Sequence, residues 1–432
     1  MNPSEARAWL DDHVDLERGA GDPPPPPTLD RMRAVTELLG SPQVEYPSVH
    51  VTGTNGKTST ARMISSLLNG LDVSTGTYTS PHLERLNERI SHNGEPISDH
   101  DLADTLSRVA LVEEFVEERP TFFEIITAGA LSWFADVAVE SAVVEVGLGG
   151  TWDATNVVDG TVAVVTNISV DHVEYLGSSR EGIADDKAGI IAPGSTLVLG
   201  ETDPDLVGRF LDRGAARVLR RGVDFGVTSN SLAHGGRLLS LSTPEDAYTD
   251  ILLPLHGAHQ ADNAALALAA TEAFTGAPLP ADVVENAFAA TSAPGRLEVV
   301  GHQPLVVLDG AHNVAGARAM LAAISEEFAP GPRTLLVGLL REKDAREMLD
   351  ALDAGSAEQI VCARPPSPRA MEPSELADAA LSLGVDADRM AIVDAPREAL
   401  EVARGATVPG GQLLVTGSLY LVGAVRSSLP LL

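Results

Sequence analysis

Only one cysteine, Cys362, occurs in the 432 residues, so an intrachain disulfide and a multi-cysteine metal site are both excluded. It sits in an apolar, strand-like run at residues 359–363 and is expected to be a core residue rather than a nucleophile. Long hydrophobic runs are missing too, since none approaches the ~18 residues of a membrane-spanning helix. Residues 1–18 are polar and acidic, unlike a secretory leader, so a soluble, cytoplasmic protein with no membrane partner is expected. Positive charge is the third scarcity. Against 61 Asp and Glu stand 30 Lys and Arg, a formal charge of −31, which argues against a nucleic-acid partner because phosphates demand a basic footprint. Such a chain repels any anionic ligand, so a phosphate site must be built locally from basic side chains, helix termini and metal ions. Lysine itself is nearly absent: Lys57, Lys187 and Lys343 leave 27 arginines. That balance resembles proteins of salt-loving organisms such as halophilic archaea, whose acidic faces keep the surface hydrated. Each remaining lysine is therefore expected to do something Arg does not, as a compact ammonium or as an amine able to lose its proton.

What is present starts with a phosphate-binding pattern. The apolar run Val49-His50-Val51-Thr52 leads into Gly53-Thr54-Asn55-Gly56-Lys57-Thr58-Ser59, and residues 60–71 then place Ala61, Ile64, Leu67, Leu68 and Leu71 at helical spacing. Strand, glycine loop and helix in that order aim backbone N–H groups and a positive helix N-terminus at one anion. Lys57 adds a point charge for outer phosphates, and Thr58 or Ser59 offers a hydroxyl to Mg²⁺ or a phosphate. A nucleoside triphosphate, ATP above all, fits. Only Thr54 and Asn55 separate the two glycines, and Val51 stands where the general P-loop pattern has its outer glycine, so the loop is of a shorter type. A plain glycine turn is the alternative.

The proline run at residues 23–27 should form an extended arm, and residues 29–39 a helix. About 45 residues precede the P-loop strand, so no complete extra domain is expected there. Read locally, Ser80 is a turn residue and His82 a surface histidine. Ser98 should cap a helix reaching residue 118, and Thr121 with Glu124 fits a capping box opening a helix to Phe134. The run 142–146 carries Glu145 to a strand end before Gly147-Leu148-Gly149-Gly150, and a second strand, 162–167, ends near Asp171-His172. Ligands collect at the carboxyl ends of parallel strands, so Glu145, His172 and the P-loop should converge. A carboxylate, a hydroxyl and an imidazole make a Mg²⁺ site conceivable, although imidazole is an unusual ligand for so hard a cation. A strand-end glutamate that only satisfies loop N–H groups is the alternative.

Beyond residue 296, short apolar strands at 306–308, 334–337, 359–363, 391–393 and 413–416 alternate with helical stretches such as 314–328 and 373–383. This reads as a second, smaller parallel α/β domain. Pro294-Gly295 is the expected hinge, with the active site between the domains, and residues 218–253 a small β excursion of the first. Internal repeats and coiled coils are absent.

Together these motifs resemble one family, the folylpolyglutamate synthases/dihydrofolate synthases of the ATP-dependent Mur ligase superfamily. The resemblance runs from about residue 29 to 422. It rests on Gly53-Thr54-Asn55-Gly56-Lys57, Thr79-Ser80-Pro81-His82-Leu83, Thr121-Phe122-Phe123-Glu124, Glu145 to Gly150 with Asp153-Ala154-Thr155-Asn156, and Asp171-His172. It continues through Asp186-Lys187-Ala188-Gly189-Ile190, Asn263-Ala264-Ala265, Pro294-Gly295-Arg296, Asp309-Gly310-Ala311-His312-Asn313, Glu342-Lys343-Asp344 and Gly417-Ser418-Leu419-Tyr420. It implies an α/β fold: a P-loop ATPase-type domain with a mostly parallel sheet at residues 1–295, binding ATP and a pterin, followed by a smaller Rossmann-like, glutamate-binding domain at 296–432. By the same resemblance Gly53, Thr54, Asn55, Gly56, Lys57, Thr58, Ser59, Asn263, Arg296 and Asp309 contact ATP. Ser80, Glu145 and His172 match Mg²⁺ ligands. Lys187, between Asp186 and Ala188 and expected at the start of a helix, matches a carbamylated lysine at a second Mg²⁺. Thr121, Phe122, Phe123, Glu124, Trp152, Asp153 and Ala154 match pterin-binding segments, and His312 and Ser418 positions near the incoming glutamate. Lys57, Lys187, His312 and Ser418 are the expected catalytic set.

The chain departs from the family at Thr58, usually Gly, at Thr151-Trp152, usually Arg-Leu, and at Ala293, often Trp; Val314 and Glu342 replace the common Pro and Asp. The implied activity is transfer of L-glutamate to folate, or to dihydropteroate, by a monomer. Two other readings stand beside it: a Mur-type ligase acting on another pterin or a deazaflavin cofactor, and a P-loop switch that hydrolyses ATP without ligation.

Overall fold

Strand β1 (Ser48–Thr52) is buried at every position, as a parallel strand covered on both faces must be. Its neighbours are β5 (Ser141–Glu145) on one side and β6 (Gly160–Val165) on the other, both parallel to it. β2 (Thr75–Tyr78), β3 (Ile90–His92), β4 (Glu95–Pro96), β7 (Thr196–Leu199) and β8 (Arg217–Arg220) complete the sheet. Among the described residues its order is β4-β3-β2-β5-β1-β6-β7-β8, antiparallel only at the β2, β3 and β4 edge. The computed structural model describes residues 1–15, 17, 19, 28–171 and 173–429. The expected proline arm and His172 lie outside them.

Two units emerge from the contacts. One comprises Met1–Ala233, Arg237–Pro254 and Gln260–Thr291; the other His234–Gly236, Leu255–His259 and Ser292–Leu432. The first contains the sheet above and an antiparallel three-stranded sheet of β9 (Gly226–Ala233), β10 (Gly236–Ser242) and β11 (Ala247–Leu253), the expected β excursion. The second is built on β12 (Glu298–His302), β13 (Leu305–Leu308), β14 (Arg333–Val337), β15 (Gln359–Ala363), β16 (Met390–Val393) and β17 (Gln412–Thr416). Their order is β12-β13-β17-β14-β15-β16, parallel except for β12 on β13. Cys362 is fully buried in β15, and burial pushes its thiol up to about 12. It carries no thiolate at neutral pH, which leaves it a core residue.

Three boundaries differ from the sequence reading. The P-loop helix starts at Lys57 and runs to Gly70, because Gly56 already caps it, so Lys57 and Thr58 belong to its first turn. The helix capped by Ser98 ends at Glu113, not 118. Glu114, Glu117 and Glu118 follow, and acidic side chains at a helix C-terminus oppose the macrodipole. Lys187, expected at the start of a helix, closes one instead: Arg180–Lys187, capped by Ser179 and passing into a 3₁₀ turn at Ala188–Ile190. No helix among the described residues is long and apolar enough to cross a membrane.

Candidate active site

The P-loop leaves the carboxyl end of β1, the central strand, and wraps tightly. Gly53 takes φ +143°, and a Cβ there would stand 1.8 Å from Thr166 Oγ1; Gly56 takes φ +83°, with its Cβ position 2.5 Å from Asn263 Oδ1. Neither approach allows a side chain. Holding four loop residues costs about 1–2 kcal/mol each in backbone entropy. The following helix offsets this by burying Ile64, Leu67 and Leu68 completely, at about 1.5–3 kcal/mol apiece.

Hydrogen bonds from the β6 exit hold the loop in place. Thr54 N–H donates to Asn167 O at 2.9 Å and Asn55 N–H to Asn167 Oδ1 at 3.1 Å. Thr166 Oγ1 and Asn167 Nδ2 both donate to Asn55 O, at 2.7 and 2.9 Å. Thr166 and Asn167 escaped the sequence reading, because nothing in an ordinary strand-end Thr-Asn marks it as a clamp. The Lys57 ammonium folds back to donate to Gly53 O at 3.1 Å and Thr54 O at 3.3 Å. Asn263, beside Gly56, donates to Gln260 Oε1 at 2.9 Å.

At the foot of the loop, Thr58 Oγ1 donates to Glu145 Oε1 at 2.8 Å, and Ser80 N–H to Glu145 Oε2 at 3.1 Å. Glu145 is 1 % and Ser80 5 % exposed. Register pairs Val51 with Glu145, so the adjacent strand ends place the carboxylate under the loop. Lys187 is buried as well. Residues 150–151 lie against it: a Cβ on Gly150 would stand 2.8 Å from Lys187 Cα, and Thr151 N–H and Oγ1 both donate to Asp186 O. Desolvation, then the charge of Lys57, lowers the Lys187 amine to about 7, against the opposing pull of Asp186, Asp153 and Asp171.

Of the two segments matched to a pterin, residues 121–124 form the expected capping box, but Glu124 has a further partner. Its carboxylate accepts Thr121 N–H at 2.7 Å and Arg31 Nε at 3.1 and 3.2 Å. Phe122 is buried beneath the Arg89 guanidinium, 5.7 Å from its ring centroid, and the Phe123 ring covers Gly147. That contact sets the first segment against the loop that leads from β5 to the second. Asp153 faces inward, accepting Leu148 N–H at 2.8 Å and Thr155 N–H at 3.0 Å, and Ala154 is buried. Trp152 is 57 % exposed.

In the second unit, Asp309 follows β13 and Ser418 lies just beyond β17, the neighbouring parallel strand. The Asp309 carboxylate accepts Leu297 N–H and Ala311 N–H, each at 2.8 Å. Burial holds its pKa up against the neighbouring Arg296. Arg296 Nη1 reaches Gly310 O at 3.4 Å and His312 Nδ1 the same oxygen at 2.8 Å. Ser418 caps the helix Leu419–Arg426, accepting Tyr420 N–H at 3.2 Å.

Comparison with known proteins puts a family to this arrangement. The model of the Mur ligase middle domain matches residues 51–271, and that of the Mur ligase glutamate ligase domain residues 295–419. The chain is 40% identical over 438 residues to the dihydrofolate synthase/folylpolyglutamate synthase of Mycobacterium tuberculosis, covering 93% of this chain and 90% of that protein. It is a folylpolyglutamate synthase/dihydrofolate synthase family member, a Mur ligase. The folylpolyglutamate synthase of Lacticaseibacillus casei is 35% identical over 93% of this chain and 95% of its own length. A crystal structure of M. tuberculosis folylpolyglutamate synthase complexed with ADP and AMPPCP superposes with a TM-score of 0.91 at 40% identity, over 98% of this chain and 97% of that one.

The family resemblance implies Mg²⁺, and the donors present can be tested for fit. Glu145 presents a carboxylate and Thr58 and Ser80 hydroxyls, hard oxygen donors of the kind Mg²⁺ takes. Among the described residues no three His, Cys, Asp or Glu side chains form a group that could hold a metal ion. A soft-metal cage is thus absent there, whereas a cation sharing one carboxylate with phosphate and water oxygens fits.

Proposed function

We propose that this ATP-dependent ligase adds L-glutamate to tetrahydrofolate and, in a dihydrofolate synthase reaction, to dihydropteroate. The observation that carries the reading is the half-buried Thr58 hydroxyl on the buried Glu145, with buried Ser80, beneath a P-loop, and a buried lysine of lowered pKa in the same unit. The γ-phosphoryl group of ATP passes to a carboxylate oxygen of the acceptor, giving ADP and an acyl phosphate. The α-amine of L-glutamate then attacks the carbonyl carbon, phosphate leaves, the amine gives up a proton, and an amide remains. Activation is required because a free carboxylate is a poor acylating agent. Most of the catalysis is positioning and charge neutralisation.

In this reading residues 1–295 bind ATP and the pterin and residues 296–432 bind glutamate. Gly53 to Ser59 with Asn263, Arg296 and Asp309 hold the nucleotide. The pterin meets residues 121–124 and 152–154, where the exposed Trp152 ring offers a stacking face. Glu124 acts by fixing that segment, its carboxylate being taken by Arg31 and Thr121. His312 and Ser418 serve the incoming glutamate. Ser80, Glu145, His172 and a carbamylated Lys187 would hold two Mg²⁺ ions, which supply Lewis-acid neutralisation of phosphate charge. The protein would work as a cytoplasmic monomer.

ADP release at high KCl, comparing dihydropteroate with tetrahydrofolate, each with and without L-glutamate, tests the function. Folate- and glutamate-dependent release is expected; release indifferent to glutamate refutes ligation. A narrower test addresses the metal. Glu145→Gln keeps an acceptor for Thr58 but loses the negative charge, so the Mg²⁺ concentration for half-maximal turnover should rise on the order of tenfold, with excess Mg²⁺ restoring part of the rate. Unchanged Mg²⁺ dependence removes Glu145 from the metal site.

A further inference from the structure

Strand β1 carries three polar side chains, Ser48, His50 and Thr52. Residues two apart on a strand share a face, and His50 and Thr52 both reach the loop of residues 147–155. Thr52 Oγ1 donates to Gly149 O at 2.8 Å. His50 Nε2 lies 2.9 Å from Thr155 Oγ1, and Thr155 Oγ1 donates in turn to Asp153 Oδ1. His50 and Thr155 are wholly buried and Asp153 nearly so.

The direction of this chain follows from the proton count. Thr155 has one hydroxyl proton and gives it to the carboxylate, so it must accept from an N–H on His50 Nε2. That assigns the tautomer and leaves Nδ1 as a bare acceptor, buried without a partner. Burial also lowers the imidazole to about 3, so the ring stays neutral at physiological pH. An orphaned buried acceptor is destabilising, and an aliphatic side chain between Val49 and Val51 would avoid it. The bond to Thr155 is what the imidazole adds.

We propose that His50 is a positioning residue: through Thr155 it orients Asp153, and together with Thr52 it suspends the loop of residues 147–155 from the strand that launches the nucleotide loop. Acceptor loop and phosphate loop thereby share one rigid reference. The kinetic consequence rests on the reading of residues 152–154 as pterin-binding; the structural consequence does not.

The test uses the full chain. His50→Leu removes the donor at similar bulk, His50→Gln keeps an N–H near the Nε2 position, and Thr155→Val breaks the next link. ADP release is measured against tetrahydrofolate and, separately, against ATP, and amide hydrogen exchange is followed in the ligand-free proteins. His50→Leu and Thr155→Val should each raise the KM for the folate about tenfold, about 1.4 kcal/mol, with the KM for ATP within about twofold. The double variant should be no worse than Thr155→Val alone, since both cut one chain. His50→Gln should stay within about threefold of the parent. Exchange protection should fall in residues 147–155 and hold in the helix Lys57–Gly70. Equal changes in both KM values, additive single effects, or unaltered exchange at 147–155 in folded variants overturn the proposal. Should the parent show no folate-dependent ADP release, the functional reading fails and the exchange measurement alone decides the role of His50.

Discussion

Lys57→Ala is expected to lower glutamate-dependent ADP release by at least about 10²–10³-fold, the range seen when one preorganised charge-stabilising donor is removed, while the protein stays folded. The ammonium sits in the first turn of the P-loop helix and donates to Gly53 O and Thr54 O. The loop itself is held from elsewhere, by Thr166 and Asn167 at the end of β6. Removing the ammonium therefore leaves the clamp in place and takes away the point charge proposed to face the outer phosphates. In a chain of formal charge −31, the surroundings offer little to replace it. Circular dichroism melting checks the fold and steady-state ADP release the activity. Substantial ligation by a folded variant would falsify the assignment of the P-loop as the nucleotide site.

The other large effect is expected at Lys187, where Lys187→Arg keeps the formal charge and should nevertheless lose activity on the order of 10²-fold or more, the scale on which removing groups that support a metal site costs activity. An ordinary lysine is uncharged in roughly one molecule per thousand at pH 7.5, too few for the amine to add CO₂ readily. With the amine lowered to about 7, first by burial and then by Lys57, more than half is uncharged at that pH. Addition of CO₂ with loss of a proton then turns a cation into an anionic oxygen donor. A guanidinium stays charged and does not follow that path. Lys187→Ala should regain part of its activity with an added small carboxylate that occupies the carbamate's place. Mass spectrometry under bicarbonate reads the modification directly. An unmodified lysine together with an active Arg variant overturns it. The sign of the pH effect follows from the lowered pKa: the unfolded chain takes up this proton from about pH 10.5 downward and the buried native amine only near 7, so the cost of burying it builds up as pH falls from about 10.5 to about 7 and stays constant below that.

The P-loop was legible because it is written locally, in an apolar strand, two glycines and a helical repeat within about two dozen residues. The same holds for the capping box of Thr121 and Glu124 and for the alternating strands and helices of the second unit, whose limits mostly fall within a residue of those read from hydrophobic pattern. Helix ends were less legible. Periodicity alone does not show that Gly56 already caps the P-loop helix, nor that Lys187 ends a turn rather than starting one.

From the sequence by itself come the α/β class, the order of its two parts, the nucleotide loop and the singling out of Lys57 and Lys187 by their rarity. These depend on spacing and composition, which one dimension records. Only the tertiary structure decided which groups meet and in what state. Thr58 and Glu145 touch across 87 residues of chain, Glu124 is claimed by Arg31 from 93 residues away, and His50 finds Thr155 across 105. The low pKa of Lys187 is a property of surroundings that close over it rather than of its neighbours in sequence. Desolvation and long-range hydrogen bonding arise when distant segments exclude water together, and residue order alone does not contain that distance.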